Sequence, residues 1–175
     1  MRREDLEHLI RASAQIADDE EIVVIGSQAI LGQFPDAPPE LLVSDDADLY
    51  PRQHPERADL IDGSIGELSP FHLTYGYYAH GVGPETATLP RGWERRLVPI
   101  DSSTTPGARG LCLEVHDLLV AKYAAGRPKD RAFARTVAVH GLADRPTLLE
   151  RLAATELAEE SRQRLRSWIE ADFPE

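Results

Sequence analysis

An apolar run, Ile22-Val23-Val24-Ile25, breaks at Gly26-Ser27 and resumes as Gln28-Ala29-Ile30-Leu31. Consecutive β-branched residues fit a buried strand better than a helix. The chain therefore reads as a strand over Glu21–Ile25, a turn at Gly26-Ser27 and a short helix reaching Gly32. A strand that turns straight into a helix presents backbone N–H groups, here with a serine hydroxyl, in a manner suited to phosphate. Further along comes Ser44-Asp45-Asp46-Ala47-Asp48-Leu49-Tyr50, an extended segment ending at Pro51. Asp46 and Asp48 are two apart, so on a strand they share a face. Two like charges aimed at one point repel, and a bound divalent cation relieves the repulsion. Mg²⁺ is a hard ion that takes a few carboxylate oxygens together with water and substrate phosphate.

Each half of this pattern has a plain reading. A glycine serves any strand-to-helix turn, and aspartates decorate solvated edges. Aspartate is disfavoured in sheets, however, so the segment from Ser44 to Asp48 is a poor strand for packing alone. Asp45 leaves the register open, and Asp46/Asp48 fits better because apolar Leu49 follows. Phosphate cradle and paired carboxylates together are the apparatus of nucleotidyl transfer.

The bulk properties narrow the setting. With 175 residues the chain suits one domain, long enough to bury a core without disulfides. The single Cys112 excludes an internal disulfide and a multi-cysteine zinc cluster. No apolar stretch suggests a membrane span, and the charged start (Arg2, Arg3, Glu4, Asp5) argues against a signal peptide, so a cytoplasmic protein without membrane contact is expected. A net charge of −11 argues against a protein that coats nucleic acid, while leaving room for local contact with an RNA end. Lys122 and Lys129 are the only lysines, in one segment of an otherwise arginine-based chain. GC-rich codon usage explains this as well as a specific need does.

The expected organisation is α+β: a small mixed sheet flanked by helices, followed by a helical C-terminal region. Residues 1–112 form the core and 113–175 the helical region packed on it, as one unit. A first helix covers residues 2–17 on the spacing of Leu6, Leu9, Ile10 and Ala14. The prolines at 35, 38 and 39 form a loop. Leu41–Tyr50 is extended and Glu56–Ile61 helical. Residues 62–92 are expected as short strands and turns, with alternation in Phe71-His72-Leu73-Thr74-Tyr75. Trp93–Ile100 reads as a strand and Ser102–Gly110 as a loop or hairpin connection. Four helices follow: Leu113–Ala125 stopped by Gly126, one from Pro128 to about His140, one opening at Asp144-Arg145-Pro146, and one opened by Thr155 and running to about Ala171.

With its apolar strand, Gly26-Ser27, helix and Asp46-x-Asp48 strand, the chain resembles the nucleotidyltransferase superfamily of the DNA polymerase β type. The gap between Ser27 and Asp46 is longer than usual there, and the proline-rich loop accounts for the excess. The resemblance implies that Gly26 and Ser27 contact a nucleoside triphosphate and that Asp46 and Asp48 bind Mg²⁺ or Mn²⁺. A second segment, Asp117-Leu118-Leu119-Val120-Ala121-Lys122-Tyr123-Ala124-Ala125-Gly126-Arg127-Pro128-Lys129-Asp130, is similar to one in bacterial nucleotidyltransferase-like proteins, relatives of abortive-infection toxins among them. It implies that Lys122 contacts nucleotide phosphate, that Asp130 supports the active site, and that Arg127 and Lys129 add positive charge. On spacing alone, Lys122 is equally a solvated lysine. The stretch from Ile61 to Tyr78 also looks like an uncharacterised bacterial nucleotidyltransferase-like family.

Many superfamily members carry a third carboxylate as general base. Asp101 is the positional candidate, for that role or as a further metal ligand, and an Asx turn before Ser102 and Ser103 is its other reading. The histidines give no metal spacing, and His72, His80 and His116 read as structural or cleft-lining. Tyr75, Tyr77 and Tyr78 are candidates for base stacking or for packing. No Gly-x-Ser-x-Gly elbow or P-loop is present. The resulting expectation is a metal-dependent nucleotidyltransferase acting on an RNA, protein or small-molecule hydroxyl, with an antitoxin as a candidate partner. Its rival is a weak or inactive nucleotide-binding module of the same fold.

Overall fold

The computed structural model describes residues 1–101 and 107–174. A five-stranded mixed sheet has the order β3-β2-β1-β5-β4. Its strands are β1 (Glu21–Val24), β2 (Asp46–Pro51), β3 (Tyr78–Gly81), β4 (Val98–Ile100) and β5 (Arg109–Cys112). β1 is antiparallel to β2 and parallel to β5, β2 is parallel to β3, and β4 is antiparallel to β5. Val24 pairs with Leu49, and the Ile25 N–H donates to the Asp48 carbonyl at 3.0 Å. The end of β1 thus meets the beginning of β2.

Helix α1 (Arg3–Ala17) buries Leu6, Leu9, Ile10, Ala14 and Ala17 at helical spacing. Each fully buried Leu or Ile contributes about 1.5–3 kcal/mol. α1 contacts β1, β2, β3 and β5, while α3 (Ala58–Ile65) contacts β2 and β3. Alternation along β2 buries Ala47 and Leu49 and leaves Asp46 and Asp48 on the other face, half-buried. β1 leads through a 3₁₀ turn, Ser27–Ala29, into the short α2 (Ile30–Gln33).

The chain from residue 113 onward is helical as expected. α5 (Val115–Ala125) is apolar nearly all round, burying Val115, Leu118, Leu119, Val120 and Tyr123. Such a helix belongs inside a bundle, and α5 contacts α6 (Pro128–Val139), α7 (Arg145–Ala153) and α8 (Glu159–Asp172). Gly126 ends α5 at φ 65°, where a side chain would be strained, and its N–H donates to the Lys122 carbonyl at 3.0 Å. Asp144 caps α7 by accepting from the Thr147 N–H at 2.9 Å. Thr155 opens no helix. Its hydroxyl donates back to the Arg151 carbonyl at 2.8 Å, and α8 starts at Glu159.

Other local readings change for identifiable reasons. Phe71–Tyr75 lies in α4 (Pro70–Tyr75), not in a strand, because Ser69 accepts from the His72 N–H and Pro70 stands in the first turn. Leu41–Tyr50 is not extended throughout: Pro39–Leu41 is a 3₁₀ turn and the strand starts at Asp46. Only Val98–Ile100 of the 93–100 segment is strand. Trp93–Arg96 is a 3₁₀ turn that delivers Arg96 to the buried carboxylate of Asp117, with Nε at 2.8 Å from Oδ2. Residues 102–106 of the expected hairpin connection lie outside the described residues, and Arg109–Cys112 forms β5. No helix among the described residues is long and apolar enough to cross a membrane.

Candidate active site

The turn after β1 and the start of β2 form the floor of the site. Gly26 is extended, so its backbone alone does not require glycine. Space does: a Cβ there would lie 2.8 Å from the Asp48 Cβ and collide with its carboxylate. Asp48 therefore abuts the Gly26-Ser27 turn. Ser44 Oγ donates to Asp46 Oδ1. The Asp45 carbonyl accepts from the Tyr78 N–H at 2.9 Å while its own side chain is exposed, which settles the register on Asp46/Asp48.

Helix α5 supplies the roof. Lys122 Nζ donates to Ser27 Oγ at 2.7 Å and lies 3.1 Å from Asp130 Oδ1. The lysine side chain is 10% exposed and the Asp130 carboxylate fully buried. Arg127 closes on the same carboxylate, with Nε 2.6 Å from Oδ2. Burial alone would push the Asp130 carboxyl up, but the Arg127 hydrogen bond and the charges of Lys122 and Arg127 outweigh it and hold the group below the usual carboxylate range. The hydrogen bond to Asp130 raises the Arg127 guanidinium, with added pull from Asp48 and Asp46. Gly26, Asp48, Lys122, Arg127 and Asp130 line one hollow of about 70 Å³. Beside it, Ser27, Ser44, Lys129, Asp130 and Phe133 line another of about 270 Å³.

The fold thus brings Gly26, Ser27, Asp46, Asp48, Lys122, Arg127 and Asp130 to one end of the sheet. Asp101 does not join them. β4 runs antiparallel to β5, so Asp101 emerges at the opposite end, beside Arg109 (3.1 Å). A larger hollow of about 540 Å³ is also remote, lined by Asp19, Gln53 and His54. There the Asp19 carboxylate is engaged by the backbone N–H groups of Gln53 (2.7 Å) and His54 (3.1 Å), a structural role.

Gln28 escapes a reading of the sequence, and His80 is read there only as structural or cleft-lining. Gln28 is fully buried, and its Nε2 donates to the Ser44 carbonyl at 3.2 Å, tying the turn to the aspartate strand. His80 sits opposite Asp48 in the parallel register, with Nδ1 donating to Asp48 Oδ1 at 2.8 Å. Both follow from pairings that only the folded chain reveals. The other ring residues separate. His116 donates Nδ1–H to Glu114 (2.7 Å) and accepts the Asp144 N–H at Nε2 (3.0 Å), joining α5 to the cap of α7. Tyr75 and Tyr77 cluster with His8 and Phe71, whereas Tyr78 packs on His72 at a ring separation of 4.6 Å. Burial raises the Tyr78 hydroxyl, and the nearby Asp46 charge adds to it.

A family model described as a nucleotidyltransferase of unknown function, DUF6036, matches residues 4–172. The chain belongs to this nucleotidyltransferase family. The match covers every candidate site residue, and the resemblance that the Gly-Ser turn and aspartate pair suggest stands at the level of the nucleotidyltransferase class. No curated protein and no solved structure matches the chain.

Proposed function

We propose that this nucleotidyltransferase moves a nucleotidyl group from a nucleoside triphosphate to an acceptor hydroxyl, with Mg²⁺ or Mn²⁺ at Asp46 and Asp48. The observation that carries the reading is the convergence of Lys122 and Asp48 on the Gly26-Ser27 turn from distant parts of the chain. The donors suit the ion: one atom each from Asp46, Asp48 and His80 lie within 4.8 Å of one another, and two of them are hard carboxylate oxygens. When bound, the cation supplies electrostatic stabilisation of charge developing on phosphoryl oxygens. Ser27 and the turn position the triphosphate. Lys122 and Arg127 against the single carboxylate of Asp130 leave one net positive charge facing it. Asp130 keeps both cations directed at the site. The acceptor oxygen bonds to the α-phosphorus and gives its proton to solvent water, while the bond from the α-phosphorus to the oxygen bridging to the β-phosphate breaks and pyrophosphate departs. Most of the rate gain in such a site comes from fixed charges and positioning.

The acceptor is an RNA end, a protein side chain or a small molecule, and a toxin role with an antitoxin partner is compatible with each. With a net charge of −11, RNA would be held by local contacts. A second reading, a triphosphate-binding module or toxin–antitoxin partner without transfer, draws on Asp101 standing away from the aspartate pair. Incubation with each α-labelled triphosphate, Mg²⁺ or Mn²⁺, and RNA or protein acceptors separates them. Label transfer lost in Asp48→Asn supports the first. Triphosphate binding without transfer supports the second. Absence of binding overturns both.

A further inference from the structure

We propose that His80 completes the cation site with Asp46 and Asp48 and shifts its preference from Mg²⁺ towards Mn²⁺. This rests on the nucleotidyl-transfer reading and adds which side chains hold the ion and which ion they select. The sheet dictates the grouping. Asp46 pairs with Tyr78 and Asp48 with His80, and paired positions on neighbouring strands share a face. The plain alternative is a surface hydrogen bond between histidine and aspartate. The surroundings of Asp48 weigh against it. Gly26 lies against Oδ2 of the carboxylate, with no room for a Cβ, and His80 engages Oδ1. The 2.8 Å between Nδ1 and Oδ1 is close to the spacing of adjacent ligands on one octahedral ion, about 3 Å for bonds of about 2.1 Å.

His80 also stands where the aspartate pair lacks a further carboxylate, since Asp101 is at the other end of the sheet. Exchanging an oxygen anion for an imidazole removes one negative charge and introduces a softer donor. Both changes disfavour Mg²⁺, which prefers oxygen, relative to Mn²⁺, which accepts imidazole nitrogen more readily. Ligation by Nδ1 requires the proton it now donates to Asp48 to reside on Nε2, the other tautomer of the neutral ring. His80 is 54% exposed, so Nε2 has access to water and the ring is replaceable without disturbing the core.

The test is Mn²⁺ binding followed by pulsed electron paramagnetic resonance, with Mg²⁺ competition, on the wild type, His80→Asp and Asp48→Asn. The expected wild-type result is a directly coordinated ¹⁴N coupling to bound Mn²⁺. In His80→Asp that coupling disappears, Mg²⁺ affinity holds or rises, and the preference for Mn²⁺ over Mg²⁺ falls by about tenfold or more, the scale of losses around metal ligands. Mn²⁺ bound in an Asp48-dependent manner without nitrogen coupling overturns the role of His80 and leaves the nucleotidyl-transfer reading intact. No Mn²⁺ or Mg²⁺ binding, with or without triphosphate, overturns both.

Discussion

Replacing Lys122 by Met tests whether the buried ion cluster at Asp130 is a working part of the fold. The substitution keeps the length of the stem, so little cavity forms and the loss is mainly electrostatic. Two contacts go: the bond to Ser27 Oγ at 2.7 Å and the ion pair with Asp130 at 3.1 Å. A charged hydrogen bond contributes about 1.5–3 kcal/mol. Breaking a buried pair costs about 3–5 kcal/mol when the remaining charge is stranded. Asp130 is not stranded, because Arg127 still holds it at 2.6 Å. The expected destabilisation is therefore about 2–3 kcal/mol, the scale of a charged hydrogen bond and below that of a stranded pair. Asp130→Asn removes the shared anion from both cations and should cost more. Urea titrations at constant slope read these differences as midpoint shifts. The pH arm has a definite sign. The folded carboxyl of Asp130 lies below its ordinary value, so its contribution is present above the unfolded pKa of about 3.9 and fades as pH falls through the folded value. Asp130→Asn should flatten that part of the acid limb. A Lys122→Met protein within about 0.5 kcal/mol of wild type, the range of ordinary surface changes, would refute the reasoning.

Gly26→Ala should destabilise the protein by about 1–3 kcal/mol, the usual range for overpacking, and weaken Mn²⁺ binding as Asp48 is displaced; calorimetry measures both, and unchanged binding would separate the turn from the metal site. Lys122→Ala should reduce triphosphate affinity more than Lys129→Ala does, because Lys122 reaches Ser27 whereas Lys129 is exposed at the positive start of α6. Equal losses in a fluorescent-nucleotide titration would contradict that. Asp101→Asn should leave Mn²⁺ affinity unchanged and cost at most about 1 kcal/mol, as exposed ion pairs do, by chemical denaturation.

What could be read in the sequence is what depends on local chemistry. The β-branched run before Gly26, the aspartates two apart and the caps at Gly126 and Asp144 each carry their structure within a few residues, whereas α5, read as amphipathic, is buried nearly all round. Spacing left Lys122 equally a solvated lysine; the resemblance of the Asp117–Asp130 segment pointed to the site, and the fold seats its ammonium on Ser27. The short strand Arg109–Cys112 and helix Pro70–Tyr75 were not: four to six residues give too little periodicity, and a serine cap decides the helix. The specific partner of His80 was unreadable, and Gln28 invisible, for a different reason. Their partners, Asp48 and the Ser44 carbonyl, are fixed by strand pairing and burial across 32 and 16 residues. Asp101 failed as a site residue because direction along β4 depends on its neighbour, which sequence position does not encode.

The Gln28 amide has a consequence for how this chain tolerates change. By gripping the Ser44 carbonyl it short-circuits the intervening segment, so the distance between turn and aspartates is set by a side chain and not by the loop's contour length. Leu41, buried against the fold, gives that loop a second anchor. Between these two tethers the tip at Pro35-Asp36 is exposed. The entropic cost of a longer loop grows only with the logarithm of its length. A long gap between turn and aspartates is therefore no obstacle to a closely assembled candidate site, and the tip is the place where the chain can accept insertions or a fused tag.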